Sequence, residues 1–547
     1  MRRKIIMVLG AVLLAGVLPA TAPGASAAVA AETSTITLDG HVVQRDRVAT
    51  PKTRVTGTGA THADFDGDGV DDVAGQAYVT KMEWSSDHQS SGIVTVRYSS
   101  VPYTDHFTDD PEGCGFGYTL ASGNFNGDKY DDLVIGAPCE PDPRAGSVRA
   151  GGIWILPGGS EGLSLDRAIH IDQSTAGVPG ASAADDYFGG ALATGDLSGD
   201  GRDDLAVGAP WKKINGRQQA GSVLVLLGGT TGIRTTGAVR LDQDQPAVPG
   251  GAEARDQFGY ALAIGKVDKD RYADLVIGTV GENASDYPGN GAVTLMRGAA
   301  SGVLQSGATT VTGHSAALAL HRDGVILNGL GEALAVGDTN GDGYGEVLVG
   351  MSAAQAADGL LASGAVISLA GRAGDLSTSG VKMLSQNTAG VPGADEAEDR
   401  FGDSIAAGDV TGDGRADLLV GVPGEDLGSH RDAGAAVLLR GSASGLTGTG
   451  AQVWNQDSGG VPGAAEKGDR FGDVLGLLNL DGRGGWDAVV AAPGEKISGD
   501  PDPVASGLIQ TFTATSAGLT PKTSWNGRML RYTDFYLDNY GQRLAAG

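Results

Sequence analysis

The chain has 547 residues, 41% of them hydrophobic, with 91 glycines and a formal net charge of −27 at pH 7. This hydrophobic content excludes an intrinsically disordered chain, and glycine without a triplet period excludes a collagen. The strong negative charge argues against binding to nucleic acid or to anionic membranes, because both repel an acidic surface.

Residues 1–27 predict a secretory signal peptide. The segment opens with Arg2, Arg3 and Lys4, continues with an apolar run over residues 5–20, and ends in Ala25-Ser-Ala27. A basic start, a short apolar core and a small-residue site are typical of such peptides, and we expect cleavage after Ala27, or else after Ala30. A membrane anchor is the alternative, disfavoured because the run is short for a span. We therefore expect a secreted, monomeric protein with no membrane span after cleavage.

Residues 28–56 form an N-terminal segment without repeats, in which Thr33–Leu38 alternates as a strand does. Residues 57–547 form a second region, which begins with the acidic stretch Asp64-Phe-Asp-Gly-Asp-Gly-Val-Asp-Asp72. This nine-residue loop carries carboxylates at positions 1, 3, 5 and 9 and a glycine at position 6. It recurs at steps of 60 to 72 residues, with position 1 at Asp64, Asn124, Asp196, Lys266, Asp338, Asp409 and Asn479.

Two further markers keep fixed distances from this loop. Phe-Gly, or Leu-Gly once, stands eight residues before position 1 at 116–117, 188–189, 258–259, 330–331, 401–402 and 471–472. Gly-Ala-Pro or a close variant stands twelve residues after it, at 136–138, 208–210, 421–423 and 491–493. Three markers at constant spacing predict seven repeats of one structural unit.

Each unit is predicted to contain four short strands. In the third unit these are residues 188–194, 205–209, 221–227 and a strand around 239–242. Apolar runs of this length without a helical period indicate an all-β fold, and seven four-stranded units predict a seven-bladed β-propeller. An open solenoid of the same blades is the alternative. The phenylalanine of Phe-Gly is expected to pack between blades. Either segment 28–56, as a possible blade-closing strand, or the tail from Lys522 is expected to complete the ring.

The acidic loops are predicted to bind Ca²⁺. Alternate side chains of a tight loop converge, and a hard cation with six to eight oxygen ligands satisfies converging carboxylates. The predicted side-chain ligands in five loops are Asp64, Asp66, Asp68 and Asp72; Asn124, Asn126, Asp128 and Asp132; Asp196, Ser198, Asp200 and Asp204; Asp338, Asn340, Asp342 and Glu346; and Asp409, Thr411, Asp413 and Asp417. Position 7 is predicted to offer its backbone carbonyl, at Val70, Tyr130, Arg202, Tyr344 and Arg415.

Two loops look unable to hold a metal. Lys266 occupies position 1 of loop 266–274, and Arg483 occupies position 5 of loop 479–487. We expect each cation to pair with the remaining carboxylates in place of calcium. Acidic turns that bind nothing remain the alternative for all seven loops, but five repetitions of the pattern disfavour it. The metal is expected to stabilise the hairpins, since no general base accompanies it.

The only two cysteines, Cys114 and Cys139, flank the second acidic loop. If that loop joins two antiparallel strands, the cysteines meet at the open end of the hairpin and a disulfide is expected in an oxidising compartment. Two free thiols are the alternative. Gly158-Gly-Ser160-Glu-Gly162 matches the G-x-S-x-G sequence pattern of a nucleophile elbow. However, a strand follows it, whereas a helix follows a nucleophile elbow, and the equivalent turns of other units lack the serine. We interpret it as a repeat turn.

Taken together, Phe-Gly, the acidic loop and Gly-Ala-Pro resemble the FG-GAP repeats of the integrin α-subunit head and its bacterial relatives, over about residues 57–520. The resemblance implies a seven-bladed propeller with calcium on one face and ligand binding on the other. We expect an extracellular module that binds a protein or a polysaccharide. The alternatives are an enzyme that cleaves polysaccharides or phosphodiesters and a matrix component. The loops expected to vary with the ligand contain Lys81–Trp84, His88, Trp211–Lys213, Asp286–Tyr287 and His430–Arg431.

Overall fold

The computed structural model of this chain is a closed ring of seven β-sheets. It describes residues 31–50, 56–57, 60–80, 91–109, 115–283, 291–313, 315, 329–355, 361–498, 500, 504–527, 529 and 536–545. The predicted signal peptide lies outside the described residues. The seven sheets are the blades predicted from the repeats, and the all-β propeller is confirmed.

The strands follow the repeats in chain order. Blades 1 and 2 contain β1 (Ala31–Leu38), β2 (His41–Ala49), β3 (Val73–Thr80), β4 (Ser91–Arg97), β5 (Tyr103–Asp109), β6 (Thr119–Gly123), β7 (Asp132–Ala137), β8 (Gly152–Leu156) and β9 (Ile169–Asp172). Blades 3 and 4 contain β10 (Ala191–Gly195), β11 (Asp204–Ala209), β12 (Ser222–Leu227), β13 (Arg234–Leu241), β14 (Phe258–Gly265), β15 (Asp274–Thr279), β16 (Ala292–Met296), β17 (Gly298–Ala299), β18 (Gly302–Val303) and β19 (Thr309–Thr312).

The remaining blades repeat the pattern. Blades 5 to 7 contain β20 (Ala333–Gly337), β21 (Glu346–Met351), β22 (Ala365–Arg372), β23 (Asp375–Leu384), β24 (Ile405–Gly408), β25 (Asp417–Val422), β26 (Ala435–Arg440), β27 (Thr447–Trp454), β28 (Val474–Leu478), β29 (Asp487–Ala492), β30 (Leu508–Thr515) and β31 (Gly518–Asn526). The last strand, β32 (Tyr536–Leu544), returns to blade 1.

The innermost strand of each blade lines the axis of the ring. Contacts run from β6 to β10, β14, β20, β24, β28 and β32 and return from β32 to β6. In blades 2 to 7 the four main strands pair antiparallel in chain order, from the axis outward. In blades 2 to 7 each acidic loop therefore joins the innermost strand to the second strand, and in blade 1 the loop directly precedes β3. All seven loops lie on the same face of the ring.

The C-terminal tail closes the ring. Strand β32 pairs antiparallel with β3, with Gly75 opposite Leu544, and the amide of Ala545 donates to the carbonyl of Ala74 at 3.0 Å. The N-terminal hairpin β1–β2 instead extends blade 1 at its outer edge, where β2 pairs with β5. Of the two segments considered for closure, the tail supplies the inner strand, and blade 1 has six strands.

The hydrophobic core lies between neighbouring blades. The marker residue before each marker glycine is fully buried or nearly so, at Phe116, Phe188, Phe258, Leu330, Phe401 and Phe471. Phe188, for example, packs among residues of blades 2 and 3 and forms a parallel bridge with Gly151 of blade 2. A Cβ on Gly151 would lie 2.1 Å from the carbonyl oxygen of Phe188, so only glycine allows this approach. The predicted packing of phenylalanine between blades is confirmed.

Candidate functional site

One hydrogen-bond framework recurs in the acidic loops. In the third loop, Asp196 at position 1 accepts the backbone N–H groups of Asp200 (3.0 Å) and Gly201 (2.9 Å). Asp204 at position 9 accepts the N–H of Ser198 at 2.7 Å and that of Gly228 at 2.8 Å. Gly228 begins the turn after β12, so position 9 ties the loop to the third strand of its own blade. Burial raises the pKa of Asp204 to about 6, against the opposing hydrogen bonds from Gly228 and Ser198.

The first loop brings its carboxylates together in a dry volume. One oxygen each of Asp64, Asp66 and Asp72 lies within 4.8 Å of the other two, and all three residues are buried. The Oδ1 atom of Asp66 is buried without a hydrogen-bond partner. Such an atom beside two more carboxylates matches what a hard cation requires, because unpaired buried charge is costly.

Burial and mutual repulsion shift the protonation of these three groups. Loss of hydration raises the pKa of Asp64 to about 6, against opposing backbone hydrogen bonds from Gly69 and Asp68. Burial, followed by the charge of Asp68, raises the pKa of Asp66, and burial raises that of Asp72 well above its usual value. Without a counter-charge this cluster takes up protons, and a bound divalent cation favours the ionised forms instead.

The turn after β4 encloses this first loop. The amide of Ser99 donates to Asp72 at 2.6 Å, the amide of Val101 donates to Asp66 at 3.1 Å, and the hydroxyl of Ser99 donates to Asp68 at 3.0 Å. The Ser99 hydroxyl also lies 3.4 Å from the carbonyl oxygen of Val70, which the sequence predicts as a ligand. Asp68 is only 8% exposed, so all four predicted side chains of this loop face inward.

The other predicted calcium loops are more open. Their position 5 residues Asp128, Asp200, Asp342 and Asp413 are exposed. Each accepts the N–H of position 7, which is Tyr130, Arg202, Tyr344 or Arg415. The guanidinium groups of Arg202 and Arg415 also bind Asp200 (2.9 Å) and Asp413 (3.1 Å).

Positions 1, 3 and 9 of these open loops are held by local hydrogen bonds. Asn124 and Asn126 accept N–H groups within the second loop, and Asp132 accepts the N–H of Gly158 at 2.9 Å. In the fifth loop Asp338 accepts the N–H of Gly341, and Glu346 accepts hydrogen bonds from Thr339 and Asn340. In the sixth, Asp409 accepts the N–H of Asp413 and Asp417 that of Thr411. Within the part of the chain that the structure describes, only the first loop gathers three carboxylates as closely as a metal needs.

The basic side chains of the two degenerate loops, Lys266 and Arg483, form different contacts. The ammonium of Lys266 donates to the carbonyl of Arg271 at 2.6 Å, where the sequence predicted a pairing with carboxylates. Arg483 lies 3.4 Å from the carboxylate of Asp481, in agreement with the predicted pairing. In both loops the aspartate at position 9 still accepts a backbone N–H, from Gly298 to Asp274 and from Ala514 to Asp487.

Sequence reasoning missed the aspartate at position 8. Asp131 in blade 2 accepts the N–H of Asp64 in blade 1 at 2.9 Å, and Asp203 in blade 3 accepts that of Asn124 at 2.7 Å. Asp71 in blade 1 accepts the N–H of Asn479 in blade 7 at 2.7 Å. These carboxyl groups link the loops of blades 7, 1, 2 and 3. The signal available in the sequence was an aspartate at position 8 in the first three loops, where the later loops have Ala273, Gly345, Ala416 and Trp486.

A cavity of about 1080 Å³ opens around the axis on the opposite face. Its wall contains Tyr118, Trp211 and Tyr260, which are 43%, 36% and 44% exposed. The rings of Trp211 and Tyr187 lie 4.2 Å apart, and the guanidinium of Arg543 lies 5.1 Å from the centre of the Tyr118 ring. Charged side chains, among them Glu332, Asp403, Arg470 and Asp473, complete the wall. Aromatic faces beside charged groups suit a polar ligand with ring or cationic parts.

The residues singled out in the variable loops are placed differently from one another. Trp211 lies in the cavity wall, and His430 and Arg431 are exposed. Lys212 is buried, and its ammonium donates to Asp186 at 2.7 Å, so it serves the fold and not a ligand. Lys81–Trp84, His88 and Asp286–Tyr287 lie outside the described residues. So does Cys114, and its disulfide with Cys139 stays a prediction.

The Gly158–Gly162 segment is a tight turn, in which the amide of Gly162 donates to the carbonyl of Gly159 at 2.7 Å. The equivalent turn in blade 3 repeats this bond between Gly232 and Gly229 at 2.8 Å, without a serine. The interpretation as a repeat turn is confirmed. The described residues contain no helix that is long and apolar enough to span a bilayer.

Comparisons with known proteins agree with the repeat pattern. The family model for the FG-GAP repeat matches residues 116–156, 188–226 and 401–439. Integrin alpha-8 from Homo sapiens is 31% identical over 204 residues, or 35% of this chain and 17% of that protein. Phosphatidylinositol-glycan-specific phospholipase D from Bos taurus is 30% identical over 183 residues, or 33% of this chain and 19% of that protein. The matched segments thus span less than a fifth of either relative.

Among solved structures, an exotype rhamnogalacturonan lyase aligns over 90% of this chain and 82% of its own. The sequence identity is 11% and the TM-score is 0.34, which is too low to indicate a shared activity.

Proposed function

We propose that this chain, which contains matches to the FG-GAP repeat and is similar to integrin α-subunits over part of its length, is a secreted ligand-binding module stabilised by calcium. Its ligand is an extracellular protein or polysaccharide, and it binds at the axial cavity opposite the acidic loops. The region from residue 57 to the C-terminus acts as one propeller domain, behind the signal peptide and the N-terminal hairpin.

The observation that carries this proposal is the aromatic wall of the axial cavity. Tyr118, Trp211 and Tyr260 come from blades 2, 3 and 4, yet the ring places them around one opening. Large aromatic side chains left partly exposed in a concave site are the groups that stack on sugar rings or anchor a partner protein. Tyr118 directly precedes β6, Trp211 closely follows β11, and Tyr260 lies near the start of β14.

Calcium has a structural function in this proposal. Asp64, Asp66 and Asp72 would hold it in the first loop, and the repeat pattern extends the assignment to loops 124–132, 196–204, 338–346 and 409–417. The ion supplies positive charge that offsets the repulsion among the carboxylates at the hairpin turn. The loops lie at the far end of the inner strands from the cavity, so the ion acts on ligand binding only through the fold.

The test is a binding panel. The full chain, saturated with calcium, is incubated with immobilised extracellular polysaccharides and with extracellular matrix proteins, and both retention and soluble products are recorded. We expect retention on at least one class without product release. Trp211→Ala is expected to weaken that retention about tenfold, on the scale of a lost aromatic contact.

Tyr272→Ala is the matched control, because Tyr272 is an aromatic residue in the degenerate fourth loop, on the opposite face. It should leave retention unchanged. Equal retention by wild type and Trp211→Ala would contradict binding at the axial cavity. Release of soluble products from a polysaccharide or a phosphodiester would contradict the binding-module function and favour an enzyme.

A further inference from the structure

A compact group of imidazole and carboxylate side chains lies away from the acidic loops, where the N-terminal hairpin meets blade 2. Its members are His41 at the start of β2, Glu140 after β7 and His170 in β9. The Nδ1 atom of His41 lies 3.1 Å from Glu140 Oε1, and the Nε2 atom of His170 lies 2.9 Å from Glu140 Oε2. Potential ligand atoms of all three residues lie within 4.8 Å of one another.

This group replaces a simpler contact that the repeat uses elsewhere. A glutamate follows the second strand at the same place in blades 4, 6 and 7, and each accepts one hydrogen bond from a glutamine of the preceding blade. The pairs are Gln243–Glu282 (2.5 Å), Gln386–Glu425 (2.6 Å) and Gln456–Glu495 (2.6 Å). In blade 2 Glu140 faces two imidazoles instead. The glutamates of blades 4, 6 and 7 thus face a neutral amide, whereas Glu140 faces one imidazole from the hairpin and one from its own blade.

The surroundings orient each member toward a common centre. His170 turns its Nδ1 atom to the Asp39 carboxylate at 3.4 Å while its Nε2 atom faces Glu140. The indole N–H of Trp154 donates to Glu140 Oε1 at 3.2 Å. A carboxylate behind a histidine is the usual arrangement around metal-binding imidazoles, because it fixes the ring and raises its basicity.

An unpaired nitrogen in this group points to a bound species. The side chain of His41 is only 10% exposed, and its Nε2 atom is buried without a hydrogen-bond partner. Gly152 lies against the group, and a Cβ there would be 2.3 Å from Glu140 Oε2 and 2.7 Å from His170 Nε2. Only glycine therefore lets the backbone pass this close to the two side chains.

We propose that His41, Glu140 and His170 bind a divalent transition-metal ion, for which Zn²⁺ is the best match, and that the ion fastens the N-terminal hairpin to blade 2. Two imidazole nitrogens and one carboxylate suit zinc, whereas calcium and magnesium prefer oxygen ligands alone. The side chains of Glu140 and His170 are 3% and 1% exposed, so the site admits an ion but not a polymer. Its function is structural.

The test uses the full chain without an affinity tag, in saturating calcium. Zn²⁺ is titrated calorimetrically, and Co²⁺ is added in parallel because its visible absorption reports nitrogen ligation. We expect one equivalent of tightly bound Zn²⁺, a Co²⁺ spectrum of an imidazole site, and a higher melting temperature with zinc. His41→Gln and His170→Gln should each weaken Zn²⁺ binding at least about tenfold, as expected for loss of one ligand.

His430→Gln, at an exposed histidine of blade 6, is the matched control and should still bind one equivalent of Zn²⁺. The melting temperature of each variant without zinc shows whether it folds, and the wild-type Co²⁺ spectrum does not depend on any variant. No stoichiometric Zn²⁺ binding by wild type, or unchanged binding by His41→Gln, would overturn the proposal and leave a proton-bridged ion pair. Neither result bears on ligand binding at the axial cavity.

Discussion

Two kinds of buried carboxylate occur on the acidic face, and they differ in what satisfies them. Asp64, Asp66 and Asp72 face one another and need a cation, whereas Asp71 and Asp131 each receive a backbone N–H from the neighbouring blade. A carboxyl of the second kind stabilises the fold without any ion, because it satisfies a buried donor. Changes at the two kinds should therefore have different consequences.

Asp131→Ala should destabilise the protein by about 1–3 kcal/mol, because it leaves the buried amide of Asp64 without its acceptor. The measurement is the urea midpoint in saturating calcium. Asp185→Asn is the control, since the Asp185 side chain is half exposed in a surface ion pair and should change stability little. An Asp131→Ala midpoint equal to that of the control would show that the link between blades contributes nothing.

Asp66→Asn should weaken calcium at the first loop by about tenfold, because affinity in such loops follows the number of charged ligands. The amide oxygen of asparagine still accepts from Val101, so the fold should persist. Calcium titration by calorimetry measures the change. Asp481→Asn, in the seventh loop, is the matched control and should leave the calcium isotherm as in wild type. The same isotherm for both variants would rule out a calcium ion at Asp66.

Asp399, before the marker Phe401, gives the stability a dependence on pH. Burial, opposed by the Glu396 N–H and reinforced by the charge of Glu425, raises its pKa to about 7 from an ordinary 3.8. Between those values the unfolded chain has released the proton that the folded chain keeps. Raising the pH from 4 to 7 therefore lowers the free energy of unfolding, and the loss is complete above pH 7.

Asp399→Asn removes this titration and should gain stability relative to wild type as the pH rises. The gain at pH 8 should exceed that at pH 5 by about 1–2 kcal/mol, which is a part of the full linkage for a pKa raised from 3.8 to about 7. Urea midpoints in saturating calcium at both pH values test it, with Asp185→Asn again as the reference. If the stability difference between Asp399→Asn and wild type were the same at pH 5 and pH 8, Asp399 would not be the source of the pH dependence.

Two added elements of blade 1 differ in what they do for the ring. Strand β32 occupies the place of the innermost strand, in contact with β28 and β6 on either side. The hairpin β1–β2 covers an outer edge, where β2 pairs with β5, and its residues His41, Arg45 and Arg47 contact blade 2. Loss of an inner strand exposes the edge of β3 and two interblade cores, whereas loss of an outer hairpin exposes one edge.

Deletion of residues 536–547 should therefore destabilise the protein far more than deletion of residues 28–50. We expect the tail deletion to lower the melting temperature by at least about 10 °C and to broaden the transition, as in a repeat array that no longer closes. Thermal unfolding followed by circular dichroism and limited proteolysis measures both variants. If the hairpin deletion lowered the melting temperature more, ring closure by the tail would contribute less stability than the hairpin does at the outer edge.

At the scale of the whole molecule, the acidic face should make stability depend on calcium. At a concentration 100 times the dissociation constant, each site adds about 2.7 kcal/mol of stability by mass action. Removing calcium with a chelator should lower the melting temperature, and added Ca²⁺ should restore it more fully than Mg²⁺. Scanning calorimetry measures this, and an unchanged melting temperature in chelator would mean that the loops hold no calcium.

The repeat, the number of blades and the buried phenylalanines followed from the sequence alone. These features are local and periodic, so a marker such as Phe188 at a constant distance from Asp196 reports the same packing in every unit. The first acidic loop was equally predictable, because its ligands lie within nine residues of the chain. Spacing within a unit is what a sequence records directly.

Only the tertiary structure decided how units meet. The tail closes the ring, Asp131 binds the neighbouring blade, and Tyr118, Trp211 and Tyr260 surround one cavity, although many residues separate the partners in each case. His41 and Glu140 meet for the same reason, across the junction of the hairpin and blade 2. Spacing within a unit does not record which residues meet across blades, because these contacts depend on the closed geometry of the ring.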